Sequence, residues 1–145
     1  MTTIRTAKPE EIPKLIQIYK ECGLYKESIS NEIVIRRGYE RNPEMFIVAE
    51  EEGKVVGTVH GQSNGMIGFV WKLGVLPEYQ RKGIGKALMK EILIRLRNDG
   101  CVGANLLVKR ENTSIIELYE SQHWEIWKHQ LMVFPDLTRI EEYYE

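Results

Sequence analysis

The chain has 145 residues, 43% of them hydrophobic and 28% charged, with a formal net charge of −1. This is ordinary globular composition for one domain, 1–145, large enough to bury a core without disulfides or metal. The near-neutral balance excludes a global basic field that would draw the protein to nucleic acid or an anionic membrane surface.

The strand-like Thr3-Ile4-Arg5 opens the chain and leaves no room for a signal peptide. Pro9 fits the first position of a helix, with Glu10 and Glu11 at the favourable end of its dipole. Ile12, Leu15, Ile16, Tyr19 and Cys22 then recur at helical spacing, and Gly23 can cap the end. A second helix is expected around Asn31 to Tyr39. Met45 to Glu50 reads as a buried strand, Glu51-Glu52-Gly53-Lys54 as a hairpin loop, and Val55 to His60 as its antiparallel return. The polar turn Gln62 to Gly65 leads into a strand from Ile67 to Val75. Ile84, Leu88, Ile92 and Leu96 give the next helix one apolar stripe, ending at Gly100. Ala104 to Val108 is a strand and Asn112 to Gln122 a short helix bearing Ile115, Leu118 and Tyr119 on one face. Two last strands, Trp124 to Lys128 and Leu131 to Phe134, precede an acidic, aromatic tail.

Strand, helix, strand is a right-handed crossover, so the strands at 67–75 and 104–108 are expected to be parallel while the hairpins are antiparallel. The predicted fold class is α/β (α+β mixed), a single domain with a central twisted mixed sheet flanked by helices. Cys22 and Cys101 form no framework and have no metal-ligand spacing, so no metal is expected. Reduced thiols fit a cytoplasmic protein. No apolar run approaches the roughly 18 residues of a membrane span.

The segment between the strand at 67–75 and its helix breaks a local rule. Gln80-Arg81-Lys82-Gly83-Ile84-Gly85-Lys86 puts three cations at a helix N-terminus, where each is disfavoured by roughly 0.3–1 kcal/mol. With two glycines turning backbone N–H groups outward, the placement makes sense if an anion sits there. A P-loop fails because Lys86 is followed by Ala87 rather than Ser or Thr. A dinucleotide fingerprint fails because Leu88 stands where its third glycine belongs. A plain tight turn at Gly83 and Gly85 stays open on spacing alone.

These residues, preceded by Leu73-Gly-Val-Leu-Pro-Glu-Tyr, resemble the acetyl-coenzyme A motif of the GNAT acyltransferase superfamily. Asn112-Thr-Ser-Ile-Ile-Glu-Leu-Tyr119-Glu-Ser-Gln-His-Trp124 resembles that family's asparagine, helix and tyrosine signature. Length, both motifs and the tail look most like the small bacterial YpeA-type branch. The resemblance implies a GNAT-like sheet of about six to seven strands with two parallel central strands splayed apart. It also implies acetyl-CoA as cosubstrate. The backbone N–H groups of Gln80, Arg81, Lys82, Gly83, Ile84, Gly85 and Lys86 would hold its pyrophosphate, and Leu73, Gly74 and Val75 would pair with the pantetheine arm. Gly74 suits a bulge or a close approach. An N–H near Leu73 to Val75 would hold the oxyanion, Asn112 would lie beside the arm, and Tyr119 would be the general acid. By spacing alone Asn112 is a helix cap and Tyr119 a packed ring.

The implied activity is transfer of acetyl from acetyl-CoA to a primary amine by direct attack in a ternary complex, with no cysteine relay. The acceptor is a small amine or, alternatively, a protein N-terminus or lysine. A non-catalytic acyl-CoA sensor is the rival from another class, and assembly as a homodimer stays open. The strand Gly-Phe-Val-Trp-Lys offers no glutamate as base, which leaves His60, Glu50, Glu40 and Glu21 as candidates by location. Trp71 reads as core or as acceptor pocket. His123 replaces the glycine usual after the tyrosine helix, at a cost of about 1–2 kcal/mol if it turns left-handed.

Overall fold

The computed structural model describes residues 1–133 and 136–144. They fall into two compact units, Met1–Leu107 and Val108–Glu145. The first unit holds β1 (Thr2–Thr6), α1 (Ile12–Glu21), α2 (Glu27–Ser30), α3 (Glu32–Arg41), β2 (Phe46–Glu51), β3 (Lys54–Ser63), β4 (Ile67–Val75), α4 (Ile84–Asn98) and β5 (Gly103–Leu106). The second holds α5 (Thr113–Ser121) and α6 (Ile140–Tyr143).

The five strands form one sheet in the order β1-β2-β3-β4-β5. All neighbours are antiparallel except β4 and β5, which pair in parallel as the crossover required. Where six to seven strands are expected, the described residues form five. Residues 124–133 form no strand among the described residues, and Phe134 lies outside them. Residues of strand propensity become a strand only where a neighbouring strand takes their N–H and C=O groups, and these pair with no strand among the described residues. In consequence β5 is the outer strand of the described sheet, and the parallel pair is not central. Its ladder stops at Val70↔Leu106, whereas β4 continues to Val75.

The motif helix packs its stripe on one sheet face: Ile84, Leu88, Ile92 and Leu96 are at most 3% exposed. Glycines let it lie close. A methyl at Gly61 would stand 2.4 Å from Ile92 Cδ1, and one at Gly68 2.7 Å from Leu96 Cδ1. On the opposite face, Ile12, Leu15, Ile18 and Tyr19 of α1 join Ile35 of α3, Phe46 and Val48 of β2, and Leu76 in one core. Ile18, rather than the expected Ile16, takes the deep position; the two flank the stripe and only one faces the sheet. Each such aliphatic side chain contributes about 1.5–3 kcal/mol by burial. Arg5 ties β1 to both faces of its surroundings, reaching Glu11 at 2.7 Å and Glu50 at 2.8 Å. The second helical segment begins at the cap Asn31, whose side chain accepts from Val34 N at 3.0 Å.

Candidate active site

Past β4 the chain makes a one-turn 3-10 helix, Pro77–Tyr79, which uses the Gln80 N–H on Pro77 O at 3.3 Å. Arg81 then turns left-handed at φ 62 and Gly83 at φ 82, and α4 starts at Ile84. The first N–H taken by the helix is that of Ala87, on Gly83 O at 3.0 Å. The N–H groups of Arg81 through Lys86 have no acceptor among the described residues. A run of six such donors at the positive end of a helix dipole is an anion cradle. Arg81, Lys82, Gly83 and Lys86 are all exposed, so nothing walls it off. A methyl at Gly83 would touch nothing within 4 Å, and one at Gly85 would reach only Val75 Cγ2 at 3.8 Å. Gly85 has ordinary helical φ, so no demand of the chain itself explains the missing side chain. An arriving ligand would.

Gln80 contributes by its side chain. Its Nε2 donates to Val75 O at 2.9 Å, and the Cys22 Sγ donates to the same oxygen at 3.4 Å. Lys82 places its Nζ 5.4 Å from the Tyr79 ring centroid, and Lys54 sits over the same ring at 5.7 Å. Lys54 begins β3, far from the motif in sequence, and nothing in its own neighbourhood announces this meeting.

The end of β4 is irregular. Thr58 pairs with Gly74 and His60 with Trp71, so Lys72 and Leu73 together oppose Val59. The bulge holds Lys72 at φ 55, a left-handed lysine costing about 1 kcal/mol. Leu73 has no partner in the register with β3, and the β5 ladder ended at Val70. Beyond Val70 this edge of β4 has no ladder with β5. Gly74 serves the close approach instead of the bulge: a methyl there would meet Leu24 Cδ1 at 3.0 Å and Cys22 Sγ at 3.1 Å. Lys72 reaches back to the same loop, its Nζ donating to Leu24 O at 2.9 Å and lying 5.2 Å from the Tyr19 centroid.

In the second unit Asn112 holds the N-cap of α5, yet among the described residues its side chain accepts from no helix N–H and takes Ser114 Oγ, at 3.4 Å. Tyr119 is part-buried, its ring 6.1 Å from that of Trp124, and burial raises its phenol above the ordinary range. It is therefore protonated at neutral pH, as a proton donor must be. Leu118, expected on the same helix face, is exposed. The helix ends with His123 at φ 73 while Trp124 N bonds Tyr119 O at 3.0 Å, a Schellman-type close built on histidine.

Of the base candidates, Glu50 is paired with Arg5, Glu21 accepts from Gln17 Nε2 at 3.2 Å, and Glu40 is exposed on α3. The His60 ring stacks on Phe46 at 4.0 Å between centroids, and burial followed by the Lys72 charge pushes its pKa down to about 4. Drawing a proton from an alkylammonium near 10 would be uphill by on the order of 8 kcal/mol. Trp71 is part-exposed, stacked on Phe69 at 4.6 Å and bonded through Nε1 to Gln62 Oε1 at 3.0 Å. Among the described residues no His, Cys, Asp or Glu cluster could hold a metal, and no helix is long and apolar enough to cross a membrane.

The sequence matches the profile of the Acetyltransferase (GNAT) family over residues 12–124. It is 31% identical over 140 residues to an acetyltransferase of Sodalis glossinidius, covering 97% of this chain and 99% of the relative. An acetyltransferase of Yersinia pestis is 32% identical with the same coverage. Ard1 from Thermoplasma volcanium superposes with a TM-score of 0.74 at 25% identity, over 87% of this chain and 84% of that one. The PaiA N-acetyltransferase from Thermoplasma acidophilum, in complex with coenzyme A, shares the fold with a TM-score of 0.79 at 19% identity, over 90% and 93%. The chain belongs to the acetyltransferase (GNAT) family and is an N-acetyltransferase of it.

Proposed function

We propose that this protein transfers acetyl from acetyl-CoA to a primary amine by direct attack within a ternary complex. The observation that carries the reading is the run of unsatisfied N–H groups from Arg81 to Lys86, open to solvent at the head of α4. It suits a diphosphate, with Arg81, Lys82 and Lys86 adding charge and Gln80 bracing the turn against Val75 O. Solved relatives of the same fold carry coenzyme A, which supports that choice of ligand. Leu73 and, through its N–H, Val75 would pair with the pantetheine arm along the part of β4 that β5 leaves free, Gly74 keeping the strand close to α1, and Asn112 would lie beside the arm. The amine nitrogen attacks the thioester carbonyl carbon and a C–N bond forms. The oxyanion is held by a β4 N–H near Leu73. Collapse breaks the C–S bond, the nitrogen loses one proton to solvent water, and Tyr119 gives its own to the departing thiolate and regains one from solvent.

The family match runs from residue 12 to 124 and so crosses the division between the two units. This supports reading 1–145 as one catalytic domain. Two free thiols, Cys22 and Cys101, favour the cytoplasm. Calorimetry with coenzyme A and acetyl-CoA, followed by thiol release with a panel of amines, tests the reading. Tyr119→Phe is expected to lower kcat by about 10²-fold or more while leaving coenzyme A affinity within twofold. Binding without transfer to any amine would return the sensor reading.

A further inference from the structure

Three strands place a row of rings on the face opposite α4. The register aligns Phe46 of β2 with His60 of β3, and His60 with Trp71 of β4. Phe46 and His60 stack at 4.0 Å, Tyr39 closes the row edge-on to Phe46 at 5.5 Å, and Phe69 extends it from Trp71 at 4.6 Å. Phe46 is buried, but Phe69 and Trp71 keep part of their surface open, and the bond to Gln62 Oε1 fixes the indole. Immediately beyond Trp71 comes the Lys72 bulge, one residue short of the Leu73 backbone.

The charge felt at His60 in this row is that of Lys72, while that of Glu21 is felt at Cys22. From β4 comes Lys72; from β3 come Thr58 and a neutral His60; from α1 come Tyr19 and Cys22; from α3 comes Tyr39. Among the described residues no carboxylate bonds to Lys72, His60 or Trp71. Lys72 is engaged with Leu24 O, Trp71 with Gln62, and His60 with Phe46. An ammonium resting beside Trp71 would meet the Lys72 charge, and within Met1–Leu107 no carboxylate is bonded to Trp71 or Lys72 to offset it. A neutral amine would meet neither penalty, and its lone pair is what attack requires.

We propose that the open end of this ring row, Phe69 and Trp71 beside Lys72, is the acceptor subsite and selects weakly basic amines carried on a flat aromatic body. The inference rests on the acetyl-transfer reading. The rings supply the stacking surface, and Lys72 excludes acceptors that arrive as cations. No strong base is then needed, because an amine titrating near 8 is already about one-quarter unprotonated at pH 7.5.

The probes are phenylalaninamide, whose amine titrates near roughly 8, and Nα-acetyl-lysinamide, near roughly 10.4. On the full-length protein with saturating acetyl-CoA, kcat/KM at pH 7.5 should favour phenylalaninamide by about 100-fold, shrinking as the pH approaches 10. Trp71→Ala should raise KM for phenylalaninamide about tenfold or more with coenzyme A affinity by calorimetry unchanged. Lys72→Glu should swing the ratio of the two acceptors toward lysinamide, a ratio that does not depend on the fraction of protein folded. Equal or better use of lysinamide by the wild type at pH 7.5 would overturn the proposal and make Trp71 a cation-binding ring. Turnover of other amines but neither probe overturns it while acetyl transfer stands. Failure to bind coenzyme A removes the parent reading, and this one with it.

Discussion

Replacing Gly85 by alanine separates what the helix needs from what its ligand needs. In the free protein the change is favourable. Gly85 has helical φ, and the new methyl would stand 3.8 Å from Val75 Cγ2, an ordinary contact. Alanine in a helix is better than glycine by about 0.5–1 kcal/mol. In a chain of this size that raises the melting temperature by roughly 1–4 °C. The same methyl covers the surface through which a diphosphate would approach the N–H groups of Gly85 and Lys86. Coenzyme A affinity should fall by about tenfold or more, roughly 1.4 kcal/mol. Melts without ligand, melts with coenzyme A and a calorimetric titration read both effects on one preparation. A stabilised variant that binds coenzyme A as tightly as the wild type would refute the reasoning, because the cradle would then not be the seat of the diphosphate. Gly83→Ala is the control of opposite sign: at φ 82 with open space around it, alanine meets no clash but costs about 1 kcal/mol of backbone strain, so the free protein should melt lower.

His123→Gly should stabilise the protein by about 1 kcal/mol in urea denaturation, since φ 73 suits glycine, and should leave coenzyme A affinity unchanged. His60 titrates near 4 in the folded chain against an ordinary 6.5, so the unfolded chain takes up the proton first. The stability tied to its neutral ring is complete above pH 6.5 and is lost as the pH falls toward 4, on the order of 3 kcal/mol in all. His60→Phe keeps a ring on Phe46 and should flatten the fall in urea midpoint across that window; an unchanged slope would show that His60 is not the group titrating.

The parts of this protein that were legible in its sequence are those where one signal acts alone. Ile67 to Val75 was bounded by a polar turn and a proline, and β4 has those ends. The 3.6-residue recurrence of Ile84, Leu88, Ile92 and Leu96 named the buried face of α4 outright. Gly83 carried its own signature of a left-handed turn. The bulge did not: a lysine at φ 55 has no compositional mark, and the neighbouring Gly74 drew attention to the wrong residue. The motif implies a backbone donor at Gln80, but Pro77 begins a turn that consumes the N–H three residues on, and the amide side chain is what reaches β4. Trp124 to Lys128 shows where propensity stops, because a strand is a relation between two segments and the sequence of one does not supply the other.

Val75 O receives donors from two directions, Cys22 from the end of α1 and Gln80 from the motif turn. One oxygen atom is thus the rivet through which the loop after α1 and the turn ahead of α4 are fastened to the same point of the sheet. Removing either donor leaves the other in place, so each tether masks the absence of its twin, and only their joint removal strands the carbonyl and unfastens both parts together.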